Sequence, residues 1–143
     1  MKKNKESLIP THRLGVEIME AFNMLNDKAT EFFGTFDITP QQYNVIAILY
    51  TAGPLSTSDI LEWMFEKNAG VSRLVDRLVK KGLVIKNQNT TDRRLVKVDL
   101  TDSGKSLYDT IGKVIYKLDN HSVNLTEEEV QLLISLLAKL NAN

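Results

Sequence analysis

Apolar residues recur along this chain every three or four positions, and the period drops to two over one short stretch. From about Pro10 to Phe33, the residues Leu14, Ile18, Phe22, Leu25, Ala29 and Phe32 mark one face of a long helix. Met19, Phe33 and Phe36 widen that face. A second helix is predicted to start at Thr39-Pro40-Gln41-Gln42: Thr39 suits the N-cap, Pro40 the first helical position, and Gln42 can close a capping box. Tyr43, Ile46, Ala47 and Tyr50 follow at helical spacing until Gly53-Pro54. Ser56-Thr57-Ser58-Asp59 opens a third helix that runs to about Phe65, with Ile60, Leu61 and Met64 facing inward. A short link at Glu66-Lys67-Asn68 leads into a fourth, whose Val71, Leu74, Val75 and Leu78 fall at i, i+3, i+4 and i+7. Gly82, after Lys80 and Lys81, is placed where a helix stops and the chain turns left-handed.

The period of two begins there. Leu83-Val84-Ile85 and Leu95-Val96-Lys97-Val98-Asp99-Leu100 read as the strands of a hairpin, the second half-buried. The polar run Asn87-Gln88-Asn89-Thr90-Thr91 is expected in the loop between them, with Asp92-Arg93-Arg94 at the tip. Thr101-Asp102-Ser103-Gly104 then opens a long helix carrying Leu107, Ile111, Val114, Ile115 and Leu118, broken at Asn120 to Asn124. Thr126-Glu127-Glu128-Glu129 caps a last helix, its acids at the positive end of the helix dipole. Val130, Leu133, Ile134, Leu137 and Leu140 form its apolar side. The expected fold is mainly α with a small β-hairpin wing: one domain, with a winged helix-turn-helix over about 38–100. Flanking helices over about 8–34 and 102–143 carry more apolar surface than this centre can cover, which points to dimerisation with a second copy.

Composition changes little in this picture; charge distribution changes more. The chain has 143 residues, 43% of them hydrophobic and 25% charged, ordinary values for a globular protein. No apolar run approaches the roughly 20 residues needed to span a bilayer. The charged start Met1 to Glu6 has no apolar stretch behind it, so a cytoplasmic location is expected. Absence of cysteine removes disulfides and thiolate chemistry. Net charge is zero, yet between Lys67 and Lys97 nine basic side chains face only Asp76 and Asp92. Local positive potential, not a basic whole, is what a phosphate backbone requires. His12 and His121 lie far apart and fit ordinary surface or interface positions, so no metal site is assigned. No catalytic constellation is visible, and an enzyme is not expected.

In this order and spacing, five segments make the chain resemble a MarR-type winged-helix transcriptional regulator. They are Ile38 to Tyr43, Leu55 to Ile60, Val71 to Val84, Asp92-Arg93-Arg94, and Leu100 to Gly104. The resemblance implies a dimer built from the terminal helices, a recognition helix in the major groove and a wing in the adjacent minor groove. It further implies a repressor of a near-palindromic operator in double-stranded DNA, released by a small aromatic or phenolic effector and needing no cofactor. Lack of cysteine excludes the family's thiol-based peroxide sensing. A winged-helix protein-interaction module without specific DNA binding is the alternative; the basic helix face argues against it.

Individual roles follow. Arg94 suits the negative potential of a narrow minor groove, Asp92 would hold the loop or orient Arg94, and Arg93 would contact phosphate. Ser72 and Arg73 sit early on the exposed side of the recognition helix, where Arg73 can pair with guanine. Lys67 and Asn68, at the helix entrance, are phosphate or base-edge candidates. Arg77 has two open roles, phosphate contact or pairing with an acid inside the domain. Gly70, expected in the first turn of the recognition helix, either lets a phosphate approach the backbone or is a tolerated defect costing about 1 kcal/mol. Ser56 and Ser58 could bind phosphate, although capping alone accounts for Ser56. Phe22, Phe33, Tyr43, Trp63 and Met64 are candidates for an aromatic effector pocket, or ordinary core.

Overall fold

The computed structural model describes residues 9–67, 70–88, 91–92, 95–120 and 124–142, with backbone alone at 119 and 120. Nine elements follow in order: α1 (Pro10–Gly34), α2 (Pro40–Ala52), α3 (Thr57–Trp63), α4 (Val71–Lys80), β1 (Val84–Gln88), β2 (Val96–Leu100), α5 (Asp102–Gly112), α6 (Tyr116–Asn120) and α7 (Glu127–Asn141). Helix α2 is the hub, packed against α1, α3, α4, α5 and β2. It starts as its sequence requires: Gln42 N donates to Thr39 Oγ1 and Thr39 N to Gln42 Oε1, both at 3.1 Å, with Pro40 at the first position. Its buried Val45, Ile46 and Leu49 meet Ile60 and Met64, Val71, Val75 and Leu78 of α4, and Val84, Val98 and Leu100 of the hairpin.

Gln42 is buried as well, and its side-chain oxygen also accepts from Lys81 Nζ at 3.2 Å. The same ammonium donates to the Asp37 carbonyl, holding the α1–α2 turn against the end of α4. Asp37 stands there at φ 57°, a left-handed conformation that Asp adopts more readily than most residues. Gly82 takes φ 72° just past α4 and redirects the chain into the wing.

The hairpin is antiparallel, in register from Val84 opposite Leu100 to Gln88 opposite Val96. Asn87 and Gln88 are therefore strand residues, not loop: they continue the ladder in register with Lys97 and Val96, and pairing of that kind does not require their side chains to be buried. Leu55 adds a third, one-residue rung, donating to Val98 O at 3.1 Å and accepting from Val98 N at 2.7 Å.

Two helix boundaries also differ from expectation. Helix α4 begins at Val71, so Gly70 is its N-cap and carries no interior-helix penalty. The predicted long helix after the wing is two: α5 stops at Gly112 and α6 starts at Tyr116. Between them, Val114 N bonds to Ile111 O and Lys117 N to Val114 O, the tighter i→i+3 pattern, at a glycine followed by β-branched Val114 and Ile115.

The terminal helices are attached only in part. Phe32, Phe33 and Phe36 at the end of α1 join the core through edge-on ring contacts of 5.1 and 5.6 Å. The earlier stripe residues Leu14, Ile18, Phe22 and Leu25 are exposed, and α7 has no buried residue.

Candidate nucleic-acid interface

Helix α4 is two-faced because its sequence is. Val71, Val75 and Leu78 are buried and Leu74 half-buried, whereas Ser72, Arg73, Asp76, Arg77 and Lys80 are exposed on the other side. Among the described residues, neither Arg73 nor Arg77 takes part in an ion pair. Arg77 and Lys80 occupy the last turn, where cations complement the negative end of the helix. Gly70 caps the start with φ −71° and no side-chain bond. A Cβ there would meet only Arg73 Cδ at 3.9 Å, so the backbone does not demand glycine for space.

A cleft of about 420 Å³ lies where α3 and α4 begin, lined by Thr57, Ser58, Leu61, Gly70, Val71, Ser72 and Arg73. Gly70, Ser72 and Arg73 are thus brought together, with the hydroxyls of Thr57 and Ser58 opposite. Ser56 is engaged elsewhere, its Oγ accepting from Asp59 N at 3.1 Å as the α3 cap. Lys67 is turned back on α3, donating to Glu62 O at 2.6 Å, so its charge serves the end of that helix. Asn68, Arg93 and Arg94 fall outside the described residues, as does His121. Asp92 is half-buried, and its carbonyl accepts from Leu95 N at 3.0 Å where the second strand begins.

Among the described residues, an ion pair joins the exposed face of α4 to the wing: Lys86 Nζ to Asp76 Oδ1 at 2.6 Å. Sequence reasoning counted Asp76 as one of two acids in a basic stretch but did not pair it. The partners are ten positions apart with a turn between, and only folding sets that distance.

The aromatic candidates separate into three places. Phe33 and Tyr43 stack at 4.5 Å, and the ladder continues through Tyr108 at 6.0 Å to Tyr50 at 4.0 Å. Tyr50 donates to Asp109 Oδ1 at 3.0 Å, and that hydrogen bond raises the Tyr50 pKa; burial, then Tyr108, raises that of Tyr43. This ladder ties the end of α1 to α2 and α5. Trp63 and Met64 line a separate cleft of about 250 Å³ with Phe65 and the outer face of α2, Asn44, Ala47, Ile48 and Thr51. Phe22 belongs to neither group and lies on the exposed face of α1. Among the described residues, no helix is long and apolar enough to cross a membrane, and no cluster of metal-ligating side chains forms.

A two-faced helix with Arg73, Arg77 and Lys80 exposed and a hairpin beside it give the architecture of a winged-helix DNA-binding protein. Comparison with known proteins gives the same class: residues 38–96 match the MarR family model. HTH-type transcriptional repressor MdtR of Bacillus subtilis is 30% identical, over 96% of this chain and 88% of the relative. HTH-type transcriptional regulator MhqR of the same organism is 24% identical, over 92% and 91%. A crystal structure of a mutant MarR from E. coli complexed with operator DNA superposes with a TM-score of 0.83 at 27% identity, covering 98% of this chain and 99% of that one. The chain belongs to the MarR family; it is a transcription regulator and not an enzyme.

Proposed function

We propose that this protein is a cytoplasmic, dimeric, sequence-specific repressor whose hold on a near-palindromic operator is loosened by a small aromatic ligand. The observation that carries the DNA reading is the division of α4: three buried apolar residues fix it in the core, while Ser72, Arg73, Arg77 and Lys80 are left exposed. Arg73 reads a base edge, Arg77 and Arg93 hold phosphate, and Arg94 enters the minor groove. Dimerisation is supported by the exposed apolar residues of α1 and α7, repression by the likeness to MdtR, and operator binding by the likeness to MarR with its DNA.

For the effector, the cleft at Trp63 and Met64 is the better of the aromatic groupings, since Phe33 and Tyr43 are stacked within the fold. It adjoins the turn that leads into α4. A ligand fitting it only in the DNA-incompetent arrangement draws the population from the operator.

Binding to a randomised duplex pool, with sequencing of the retained DNA and a salt titration, tests the reading. Enrichment of a near-palindrome with half-sites about one helical turn apart is the expected result. No retention at low salt would leave the protein-interaction module instead. Trp63 is the only tryptophan, so quenching of its fluorescence by a panel of phenols, with parallel loss of operator binding, reports the effector. Quenching without release would reject the cleft as the switch.

A further inference from the structure

We infer that Asp76 is a specificity-determining positioning residue: through Lys86 it sets the wing at a fixed angle to the recognition helix. This rests on the reading above that the protein binds a specific sequence.

Asp76 is an odd residue to find where it is. Helical spacing puts it on the exposed face of α4, one turn from Ser72 and Arg73 on one side and from Lys80 on the other. There it subtracts charge from the surface that faces phosphate. Its carboxylate engages none of those cations; it reaches the wing, to Lys86 Nζ at 2.6 Å.

The place of Lys86 on the wing explains the contact. In β1 only Val84 is buried, and Ile85 to Gln88 are exposed. On β2, Val98 is fully buried and Val96 and Lys97 are exposed. Lys86 stands opposite Val98, the last buried position of β2 before the exposed Lys97 and Val96. Core packing fixes the base; beyond it, the Asp76–Lys86 pair is the ion pair among the described residues that links hairpin to helix.

Two elements that enter neighbouring grooves must keep a set separation, because phosphate and base contacts position each other. Pairing also removes Lys86 from the pool of cations free to neutralise phosphate. The tie therefore acts twice in the same direction: it favours the one geometry that suits the operator and lowers charge-driven binding elsewhere.

Titration of the parent, Asp76→Asn, and the exchange of Asp76→Lys with Lys86→Asp against operator and unrelated duplex, across salt, tests this. For Asp76→Asn, binding to unrelated DNA should rise, with a salt slope steeper by about 0.9 as Lys86 is freed. The ratio of operator to unrelated affinity should fall roughly tenfold. The exchanged protein keeps the net charge and the pair, and should regain most of the ratio. Both partners are exposed, so the variants should melt with the parent. If Asp76→Asn strengthens both duplexes by the same factor, the residue only subtracts charge and the inference is overturned. An exchange with as poor a ratio as Asp76→Asn overturns it too. A parent that itself discriminates between no sequences removes the repressor reading, and this inference with it.

Discussion

Helices α2 and α7 begin alike and end in opposite surroundings. Each opens on a threonine capping box, Thr39 with Gln42 and Thr126 with Glu129, and each continues as a mainly apolar helix, of 13 and 15 residues. Yet α2 buries Gln42, Val45, Ile46 and Leu49, and α7 buries nothing. Leu132, Leu133, Ile134, Leu136 and Leu140 are all exposed. Local signals decide that a helix forms and where it starts; they do not decide what covers it. An apolar face of that extent, with the exposed apolar residues of the first part of α1, is where the proposed dimer places its partner.

The comparison can be broken by making the same change in both settings. Leu78→Ala empties a site with 0% exposure in the core shared by α2 and α4, and should cost about 3 kcal/mol in denaturant unfolding, whatever the protein concentration. Leu133→Ala, at a position 46% exposed, should act through association, with a loss of stability that grows on dilution. If it cost as much as Leu78→Ala at every concentration, α7 would be a core helix of the single chain.

A step down is Gly104→Ala, which probes how the core module joins the terminal helices. An added Cβ would run into the Leu83 carbonyl oxygen and sit 3.2 Å from its carbon and 3.1 Å from Leu100 Cδ2. Backbone on one side cannot yield as a side chain would, so a loss of about 2 kcal/mol is expected from the unfolding midpoint. An unchanged midpoint would mean that α5 is free to slide on the wing. Thr101 fastens the same corner, donating to Gly82 O at 2.6 Å and, from its N–H, to Leu83 O at 3.1 Å.

The caps sharpen the comparison at about 1 kcal/mol each. Thr39→Ala should lower global stability, because α2 unfolds only with the core. Thr126→Ala should instead speed hydrogen exchange within α7 alone in dilute protein; equal global losses would show that α7 folds as one unit with the core.

The smallest effect is in pH. Burial and Tyr108 raise Tyr43 above its usual 10.0, and the hydrogen bond to Asp109 raises Tyr50 above the same value. The folded chain thus holds both phenolic protons more tightly than the unfolded chain. That stabilisation is whole below pH 10.0 and fades as pH climbs through the raised values. Tyrosinate absorbance should show phenols titrating late in the parent, one fewer in Tyr50→Phe. Normal titration of every tyrosine would dismiss the ladder as a fixed element.

The amino-acid sequence alone determined the order of elements, because caps, glycine stops and hydrophobic period act within a turn or two. Thr39, Ser56, Thr101 and Thr126 all cap the helices they precede, and Gly82 turns left-handed as its place after Lys81 requires. It also singled out the two-faced α4 and with it the DNA-binding class. It misjudged the ends of elements, at Asn87 and Gln88 and at Gly112, where cross-strand pairing and a local break outweigh composition.

Only the tertiary structure decided which side chains meet. It drew Phe33 and Tyr43 into one stack while leaving Trp63 and Met64 in a separate cleft and Phe22 in the open. It folded Lys67 back on Glu62, and set Asp76 against Lys86 across a turn. Such contacts depend on how rigid elements pack at a distance, through forces that fall off within a few ångströms and leave no periodic trace in the chain.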